Sequence, residues 1–408
     1  MTNNSSNNRS FTHLEIKIPL VPSANERLRA SVFLRLHELY GDPLPNEISA
    51  RISTELDISY NYCYDSLFLL YQEIVNCING SGLPYYPISS NGASLICYAL
   101  GITRVNPLPA HYRCASCRHT EFADQADSAD PHDCGLILPA KHCPLCGAFM
   151  MSDGNDLPPE FFLGLRYDKS PYLALAVPPA MSDDAVTLLE HSFSITRKDP
   201  HDYKFPEEEG FIFAYLDIVP ADSDPEAELL WQSSSSVASA SSASLAPYEM
   251  TDARVFEYLS RPESFACYLP YRDDAQMLKS LLEAKAVSIY NIFDLSKICG
   301  LIRSVNWFGF ILPSLTCGAV DYRSTITCRE DIFRHLVAHG LDYEASYRVM
   351  EMTRKGRAAS ILADNALRQL LLSHEISEDY LTNLVNIRYL PTRAHALELA
   401  MTVYRNVK

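Results

Sequence analysis

No apolar run in this sequence approaches the length needed to cross a membrane, and the chain begins with the polar segment MTNNSSNNRS, which carries no secretion signal. Basic residues are scarce: 34 Lys and Arg stand against 50 Asp and Glu, giving a formal net charge of −16. Non-specific attraction to nucleic acid requires a basic surface, so this balance argues against strong non-specific DNA binding. We therefore expect a cytoplasmic globular protein that makes no contact with a membrane.

Cysteine is plentiful by contrast, with 12 residues. Four of them form two Cys-x2-Cys pairs: Cys114 with Cys117, and Cys143 with Cys146. In a chain without secretion signals, paired cysteines are more typical of metal ligands than of disulfides. Two such pairs can place four thiolates at the corners of a tetrahedron, which predicts one structural zinc ion. Gly147 stands where a knuckle turn needs a positive φ, and Cys134, between the pairs, is an alternative ligand.

Hydrophobic spacing predicts helices and strands in the same chain. Apolar residues recur at helical spacing from Glu26 to Tyr40, and residues 46–78 are typical of two further helices. Strand patterns cover Tyr172–Val177 and Phe211–Val219, and the chain from residue 250 onward is typical of a helical array. Residues 232–244 are almost entirely Ser and Ala, which predicts a linker between these parts.

Several longer motifs occur in one order along the chain. They are Leu39–Pro45, Val105–Pro109, His111–Cys114, Asp153–Gly154, Phe162–Gly164, Arg329–Phe333, Arg354–Gly356 and Arg393–Ala396. Through these motifs the chain resembles the PolC-type alpha subunit of bacterial DNA polymerase III, from about Leu39 to about Ala400.

The resemblance implies an α+β fold. A PolC-like polymerase palm, made of a mixed sheet with helices, would carry a zinc-ribbon or knuckle insert, and an all-helical fingers domain would follow. The expected parts are a disordered or extended N-terminus (1–25), an N-terminal palm part (26–107), the four-cysteine zinc insert (108–150), a reduced palm with the Ser/Ala linker (151–250), and the helical fingers-like domain (251–408).

The same resemblance indicates that catalytic groups are missing. The family holds two metal ions with carboxylates, two of which form an Asp-x-Asp pair just after an Asp-Lys-x-Pro segment. Here Asp168–Pro171 is followed by Tyr172 and Ala174 at those two positions, and Ala246 occupies the third. A phenol and methyl groups cannot hold Mg²⁺, which needs oxygen ligands of high charge density, so no Mg²⁺ is expected.

The triphosphate loop of the family is also altered in this chain. Ile88 stands where the resemblance implies an arginine, and Tyr86 and Ser89 stand where it implies glycines. The fingers resemblance still implies phosphate contacts, from Arg354, Lys355, Arg357, Arg393 and His395. For Arg354, Lys355 and Arg357, the alternative is that they are cations at a helix C-terminus, where the macrodipole favours positive charge. For Arg393 and His395, the alternative is that they lie at a solvated helix start.

The leading hypothesis is a truncated and catalytically inactive PolC-like paralogue, a zinc-stabilised scaffold with no small-molecule substrate. It would bind DNA weakly, or bind a replication or mobile-element protein. One alternative is an active DNA polymerase whose metal ligands are rearranged to Glu249, Asp252 or Asp217. A further alternative is an interaction module whose acidic face mimics DNA.

Overall fold

The structure analysed is a computed structural model that describes residues 12–19, 21–83, 85–88, 90–123, 134–177, 181–193, 195–198, 211–220, 250–262 and 272–407. The chain divides into two compact units, residues 1–249 and 250–408. The first unit combines helices with two sheets and the second is helical, so the predicted α+β class is confirmed. The Ser/Ala linker, Ala246, Glu249 and Ser89 lie outside the described residues.

The described part of the first unit contains both helices and strands. Its helices are α1 (Ala24–Tyr40), α2 (Asn46–Asn61), α3 (Asp65–Ser81), α4 (Leu95–Ala99), α5 (Glu160–Leu163) and α6 (Ser182–Ser192). Its strands are β1 (Thr12–Pro19), β2 (Tyr86–Pro87), β3 (His111–Cys114), β4 (Thr120–Phe122), β5 (Met150–Asp153), β6 (Leu173–Val177), β7 (Ile195–Lys198) and β8 (Phe211–Pro220). The helices expected near residues 26–40 and 46–78 and the strands expected after residues 172 and 211 are all present.

The larger sheet has the strand order β2-β6-β8-β1-β7, in which β6 and β8 are parallel and the other neighbours are antiparallel. Because side chains alternate along a strand, register partners share a face. One face is apolar and buried, and it consists of Leu14, Ile16, Leu173, Leu175, Val177, Leu216 and Ile218. Helices α3 and α6 contact β8. The opposite face carries Glu15, Ala174 and Asp217, and it is called the polar face below.

The N-terminal segment 1–25 was expected to be disordered or extended; within it, Thr12–Pro19 form the extended strand β1, and helix α1 already begins at Ala24. β1 lies between β8 and β7, and it pairs with β8 along its whole length from Thr12 to Pro19. Leu14 and Ile16 are almost fully buried there. The apolar alternation of these two residues with Glu15 and Lys17 is the sequence signal for this strand.

A buried carboxylate fixes the start of α4. Glu55 on α2 is 1% exposed, and it accepts hydrogen bonds from the backbone N–H groups of Leu95 (3.0 Å) and Ile96 (3.2 Å) and from the hydroxyl of Ser94 (2.8 Å). Arg51, one turn earlier on α2, donates to the same carboxylate at 2.5 Å. A buried charge is tolerated only when it is paired and hydrogen-bonded, and Glu55 meets both conditions.

The second unit is an array of ten helices within its described residues. They are α7 (Ala253–Leu259), α8 (Arg272–Glu283), α9 (Ile292–Arg303), α10 (Val305–Thr316), α11 (Arg329–Ala338), α12 (Tyr343–Arg354), α13 (Ala359–Ala363), α14 (Asn365–Ser373), α15 (Glu378–Asn386) and α16 (Arg393–Val407). Asp and Ser side chains cap several helix starts, among them Asp342, Asp364 and Ser377. Among the described residues of the chain, no helix combines the length and the apolar character needed to span a membrane.

Candidate metal centre and charged clusters

The four paired cysteines belong to a small three-stranded antiparallel sheet with the order β4-β3-β5, called the cysteine-rich sheet below. Cys114 ends β3, and Cys143 and Cys146 precede β5. Cys114 and Cys143 are buried against Tyr112 and Met150, whereas Cys117 and Cys146 are exposed. The group of four thiols therefore consists of two buried thiols, Cys114 and Cys143, and two exposed ones, Cys117 and Cys146.

The sulfur atoms have the spacing of a tetrahedral metal site. All four lie within 4.8 Å of one another, and the Sγ atoms of Cys114 and Cys146, like those of Cys117 and Cys143, are 3.5 Å apart. A tetrahedral site with Zn–S bonds of about 2.3 Å places its sulfurs about 3.8 Å apart. The donor set is soft and complete, so the four thiols can hold a metal ion such as zinc with no position left for water.

The backbone of each pair turns back on itself in the same way. The N–H of Arg118 donates to the carbonyl of Cys114 at 2.8 Å, and the N–H of Gly147 donates to the carbonyl of Cys143 at 2.9 Å. Both turns end in a positive φ, 64° at Arg118 and 74° at Gly147, and the latter agrees with the sequence prediction. The backbone N–H of Cys117 points at the Cys114 sulfur and lowers the pKa of that thiol to about 6. A lowered pKa favours the thiolate, which is the form that binds metal ions.

Cys134 lies apart from this group. Its thiol is buried and directed at the side-chain carbonyl of Asn155, 3.6 Å away. The next residue, Gly135, approaches β5 so closely that a Cβ would lie 1.6 Å from the Asp153 carbonyl oxygen. The turn that carries Cys134 is thus anchored to β5 and not to the four-thiol group.

A buried hydrogen-bond network joins the cysteine-rich sheet to the helices of the first unit. Asp153, the last residue of β5, accepts from the Asn106 amide (2.8 Å), the Tyr98 hydroxyl (3.2 Å) and the Gly154 N–H (2.8 Å). The same Asn106 amide donates to the hydroxyl of Tyr40 at 2.8 Å. Burial and the neighbouring charge of Asp153 raise the pKa of Tyr98 well above its ordinary value, so the phenol stays a donor.

The polar face of the larger sheet carries the positions that the resemblance assigns to metal-binding carboxylates. Tyr172 immediately precedes β6, and Ala174 within β6 is directly opposite Asp217 on β8. Asp217 is 7% exposed, and the Tyr172 hydroxyl donates a hydrogen bond to its carboxylate. Sequence reasoning named Asp217 as an alternative ligand but did not place it beside Tyr172 and Ala174.

The stretch that corresponds to the triphosphate loop of the family is packed into the first unit. Tyr86 is fully buried on β2 and lies opposite Ala176 of β6. The N–H of Ile88 donates to the carbonyl of Ala174 at 3.0 Å. The start of the following helix is already bound by Glu55, as described above. In this conformation the backbone groups of Ile88 and Leu95 bind other parts of the protein.

The cations that the fingers resemblance singles out are linked by ion pairs in the second unit. Glu351 on α12 contacts Arg354 (2.5 Å), Lys355 (3.1 Å) and Arg329 (3.2 Å). The guanidinium of Arg329 continues to Glu330 at 3.1 Å. Burial acts to raise the pKa of Glu351, but the hydrogen bond and charge of Arg354, with the charge of Arg329, outweigh it and lower the pKa to about 2.

The ion pairs that join Lys355 and Arg354 through Glu351 and Arg329 to Glu330 are called the charge ladder below. This charge ladder ends at the start of α16. The carboxylate of Glu330 accepts from the backbone N–H of Arg393 at 2.8 Å, and the Arg393 guanidinium lies 5.5 Å from the ring centre of Phe293. Arg393 and His395 are each 5% exposed, and the His395 N–H donates to the hydroxyl of Thr392 at 3.1 Å. The structure therefore links Arg354, Lys355 and Arg393 through one ladder, but it keeps Arg393 and His395 in the interior.

The remaining cations lie on the surface beside α12. Arg357 and Lys355 are exposed, and Gly356 between them has a φ of 69°. A Cβ at Gly356 would lie 2.9 Å from the carbonyl oxygen of Arg388, so the two segments of chain are in close contact. Arg388 is also exposed. Lys355, Arg357 and Arg388 are called the surface basic cluster below. Sequence reasoning did not identify Glu351, although its spacing of three and four residues from Arg354 and Lys355 is typical of ion pairs along one helix. It also missed Arg329, which lies on α11, because spacing along one helix does not reveal partners on another.

Asp252, the other described alternative ligand, has a capping role. Its carboxylate accepts from the backbone N–H of Arg254 at 3.0 Å and pairs with the Arg254 guanidinium at 2.7 Å. It belongs to the second unit, whereas Asp217 belongs to the first. Within the described ranges, the four cysteines are the one group of three or more His, Cys, Asp or Glu residues that can hold a metal ion.

Comparison with known proteins tests the resemblance. Residues 26–194 match the family model for the bacterial DNA polymerase III alpha NTPase domain. A PolC-type DNA polymerase III of Lactococcus lactis is 26% identical over 94% of this chain, and one of Lacticaseibacillus paracasei is 24% identical over 95% of it. The chain is thus similar to PolC-type DNA polymerase III over most of its own length.

The similarity to PolC is highest in one part of the chain. A PolC-type enzyme of Thermotoga petrophila is 37% identical over 175 residues, which are 43% of this chain and 12% of that protein. The chain spans 28% and 32% of the lengths of the Lactococcus and Lacticaseibacillus proteins. It therefore corresponds to only a part of each PolC relative named here.

The charge ladder predicts a stability that depends on pH. Because the folded-state pKa of Glu351 is lowered to about 2, its contribution is fully present above its ordinary pKa, about 4.5, and is lost as the pH falls toward 2. Glu351→Gln should lower the free energy of unfolding by about 2–4 kcal/mol at pH 7, since it removes the negative charge that the half-buried Arg354 and the buried Arg329 share. Urea unfolding at pH 7, 5, 4 and 3 should show this difference shrinking below pH 4.5.

Glu283→Gln is the matched control, because Glu283 forms an exposed ion pair with Lys279 on α8. It should stay within about 0.5 kcal/mol of the wild type. Equal effects of the two substitutions at pH 7, or a Glu351→Gln effect that is unchanged at pH 3, would contradict the ladder.

Proposed function

We propose that this chain is a catalytically inactive PolC-like paralogue, a scaffold stabilised by one structural zinc ion that binds DNA weakly or binds a replication or mobile-element protein. The observation that carries the proposal is the pair of residues at the palm position: Tyr172 and Ala174 stand where PolC is expected to hold carboxylates. A phenol and a methyl group offer Mg²⁺ no anionic ligand.

A chemical argument links this observation to the loss of catalysis. Two-metal nucleotidyl transfer needs carboxylates that bridge two cations about 3.5–4 Å apart. On the polar face, the buried carboxylates of Asp217 and Glu15 lie on different strands, and the Tyr172 hydroxyl already donates to Asp217. The triphosphate-loop equivalent adds a second loss, because Ile88 supplies no guanidinium for the phosphates.

The four-thiol group supports a structural role for the metal. Four protein ligands leave no coordination position for a substrate or water, so the ion would stabilise the fold and take no part in chemistry. Zinc suits this donor set best, since it is held by thiolates in tetrahedral sites. Through Asp153 and Asn106, the stability supplied by the metal would reach the helices of the first unit.

Weak DNA binding is proposed for the surface basic cluster. Lys355, Arg357 and Arg388 are exposed and close together, whereas Arg393 and His395 are buried. A few phosphate contacts on a chain of net charge −16 would give modest affinity with a clear salt dependence.

One observation favours an active polymerase as a second candidate. Asp217 is a buried carboxylate directly opposite Ala174, so a metal ligand could have moved from one strand to its neighbour. The acidic balance of the whole chain is in turn what favours the DNA-mimic alternative. The first two experiments below separate these candidates from the proposal.

The first experiment is primer extension with a purified chain, a primed template, all four deoxynucleotides and either Mg²⁺ or Mn²⁺. The proposal expects no template-directed product above the no-enzyme control. A variant with Asp217→Asn distinguishes real activity from a contaminating polymerase, since only activity of this chain would depend on Asp217. Extension that disappears in the Asp217→Asn variant would establish the active-polymerase alternative instead.

The second experiment measures DNA binding by fluorescence anisotropy at 50–200 mM salt. Replacing both Arg357 and Arg388 with Gln should weaken binding and reduce the slope of log K against log[salt] by about 0.7–0.9 for each phosphate that these side chains no longer neutralise. Lys279→Gln, an exposed lysine elsewhere in the second unit, should leave the slope unchanged. Binding that is absent at 50 mM salt would instead support a protein partner or a DNA mimic.

The third experiment counts the metal. Mass spectrometry of the purified chain should find one zinc ion per molecule. Cys143→Ser should abolish this zinc and lower the thermal midpoint, because one of the four ligands is removed. Cys134→Ser should retain the zinc, since the Cys134 thiol points at Asn155. Loss of zinc in the Cys134 variant, or its retention in the Cys143 variant, would assign the ligands differently.

A further inference from the structure

The pair formed by Tyr172 and Asp217 is an unusual arrangement on the polar face. Asp217 lies on β8, the central strand of the five-stranded sheet, and its carboxylate is almost fully buried. The Tyr172 hydroxyl reaches it from the end of β6, across 45 residues of sequence. The PolC relationship implies a divalent metal ion at this place, but the residues present do not fit one, because Tyr172 and Ala174 supply no carboxylate.

A buried carboxylate needs a partner that replaces the water it has lost. In a metal-binding palm that partner is a cation held between several carboxylates. Here a neutral hydroxyl donates to the carboxylate instead, and it comes from the residue at the first of the two family positions. Ala174, at the second position, places only a methyl group opposite Asp217 on the β6 side, and His13 is the register partner of Asp217 on the β1 side.

We propose that the Tyr172 hydroxyl takes the place of a metal ion as a partner of Asp217. The polar face is therefore a closed divalent-cation site, and substitutions at residues 172 and 174 can reopen it. This inference rests on the proposed loss of catalysis and deepens it. It assigns Tyr172 as the closing group, and it assigns Asp217 as the one anionic ligand that β8 retains.

The strand register determines which substitutions reopen the site. Residues 172 and 174 are two apart, so side chains at both positions point to the polar face. Neighbouring strands of a sheet lie about 4.8 Å apart, which brings carboxylates at 174 and 217 within reach of one ion. Glu15 on β1 is a further buried carboxylate of this face, opposite Tyr215 and thus one diagonal step from Asp217.

The experiment uses the full chain and Mn²⁺ as the probe, with free Mn²⁺ measured by electron paramagnetic resonance. Wild type should bind Mn²⁺ no more tightly than the Asp217→Asn variant. The variant with Tyr172→Asp and Ala174→Asp should gain one Mn²⁺ site. Adding Asp217→Asn to this variant should weaken its Mn²⁺ binding at least tenfold. Far-UV circular dichroism and the thermal midpoint verify that each variant is folded.

Two results of the Mn²⁺ titration would overturn the inference. One is wild-type binding that Asp217→Asn abolishes, because the phenol would then not close the site. The other is a folded double-aspartate variant that gains no site, because the register would then not bring the ligands together. Primer extension by wild type without any Mn²⁺ site at Asp217 would overturn the proposed function and leave this inference standing.

A second measurement applies if two added carboxylates prevent folding. Tyr172→Phe and Asp217→Ala should each lower the urea midpoint, and the two together should lower it by no more than the larger single effect. Strictly additive midpoint shifts would show that the two side chains act independently and would overturn the inference. Tyr60→Phe, at an exposed tyrosine on α2, should leave the midpoint unchanged.

Discussion

The structure depends on one constraint: charge that is removed from water must be paired. Glu55 holds the start of α4, Asp153 joins the cysteine-rich sheet to the helices, and Glu351 gathers three cations in the second unit. Each carboxylate is buried or nearly so, and each would cost several kcal/mol if its partners were removed. These pairs specify which segments meet, whereas the apolar core stabilises them without such selectivity.

The same constraint explains why residues that suggest a catalytic relative have other partners here. Arg354 and Lys355 bind Glu351, and the backbone of Arg393 binds Glu330, so much of their bonding capacity is used inside the protein. On the polar face, the carboxylate of Asp217 binds a phenol. In this chain, which is similar to PolC in sequence, these charged groups bind one another.

Local sequence patterns predicted much of this fold. The helical spacing before Tyr40 and the strand patterns after residues 172 and 211 correspond to elements at those places. The two Cys-x2-Cys pairs predicted that four thiols would meet, because close spacing within each pair limits where the chain can go. The kind of metal ion that four thiols can hold is a matter of donor chemistry, which the sequence also supplies.

Pairings across long stretches of chain could not be predicted in this way. Tyr172 and Asp217 are 45 residues apart, Ser94 and Glu55 are 39 apart, and Arg329 and Glu351 are 22 apart. No periodicity reports such contacts, since each depends on how separate elements pack. The short strand β1 is similar, because its pairing with β8 joins residues about two hundred positions apart in the sequence.

The central position of β8 has a consequence for how the first unit folds. β8 lies between β6 and β1, so the apolar face of the larger sheet cannot assemble until residues 211–220 have been synthesised. The cysteine-rich sheet needs only residues 111–153 and can close much earlier. Because contacts between distant residues form slowly, the four cysteines would come together before the larger sheet closes during synthesis, and the strand at residues 12–19 would wait longest for its neighbour.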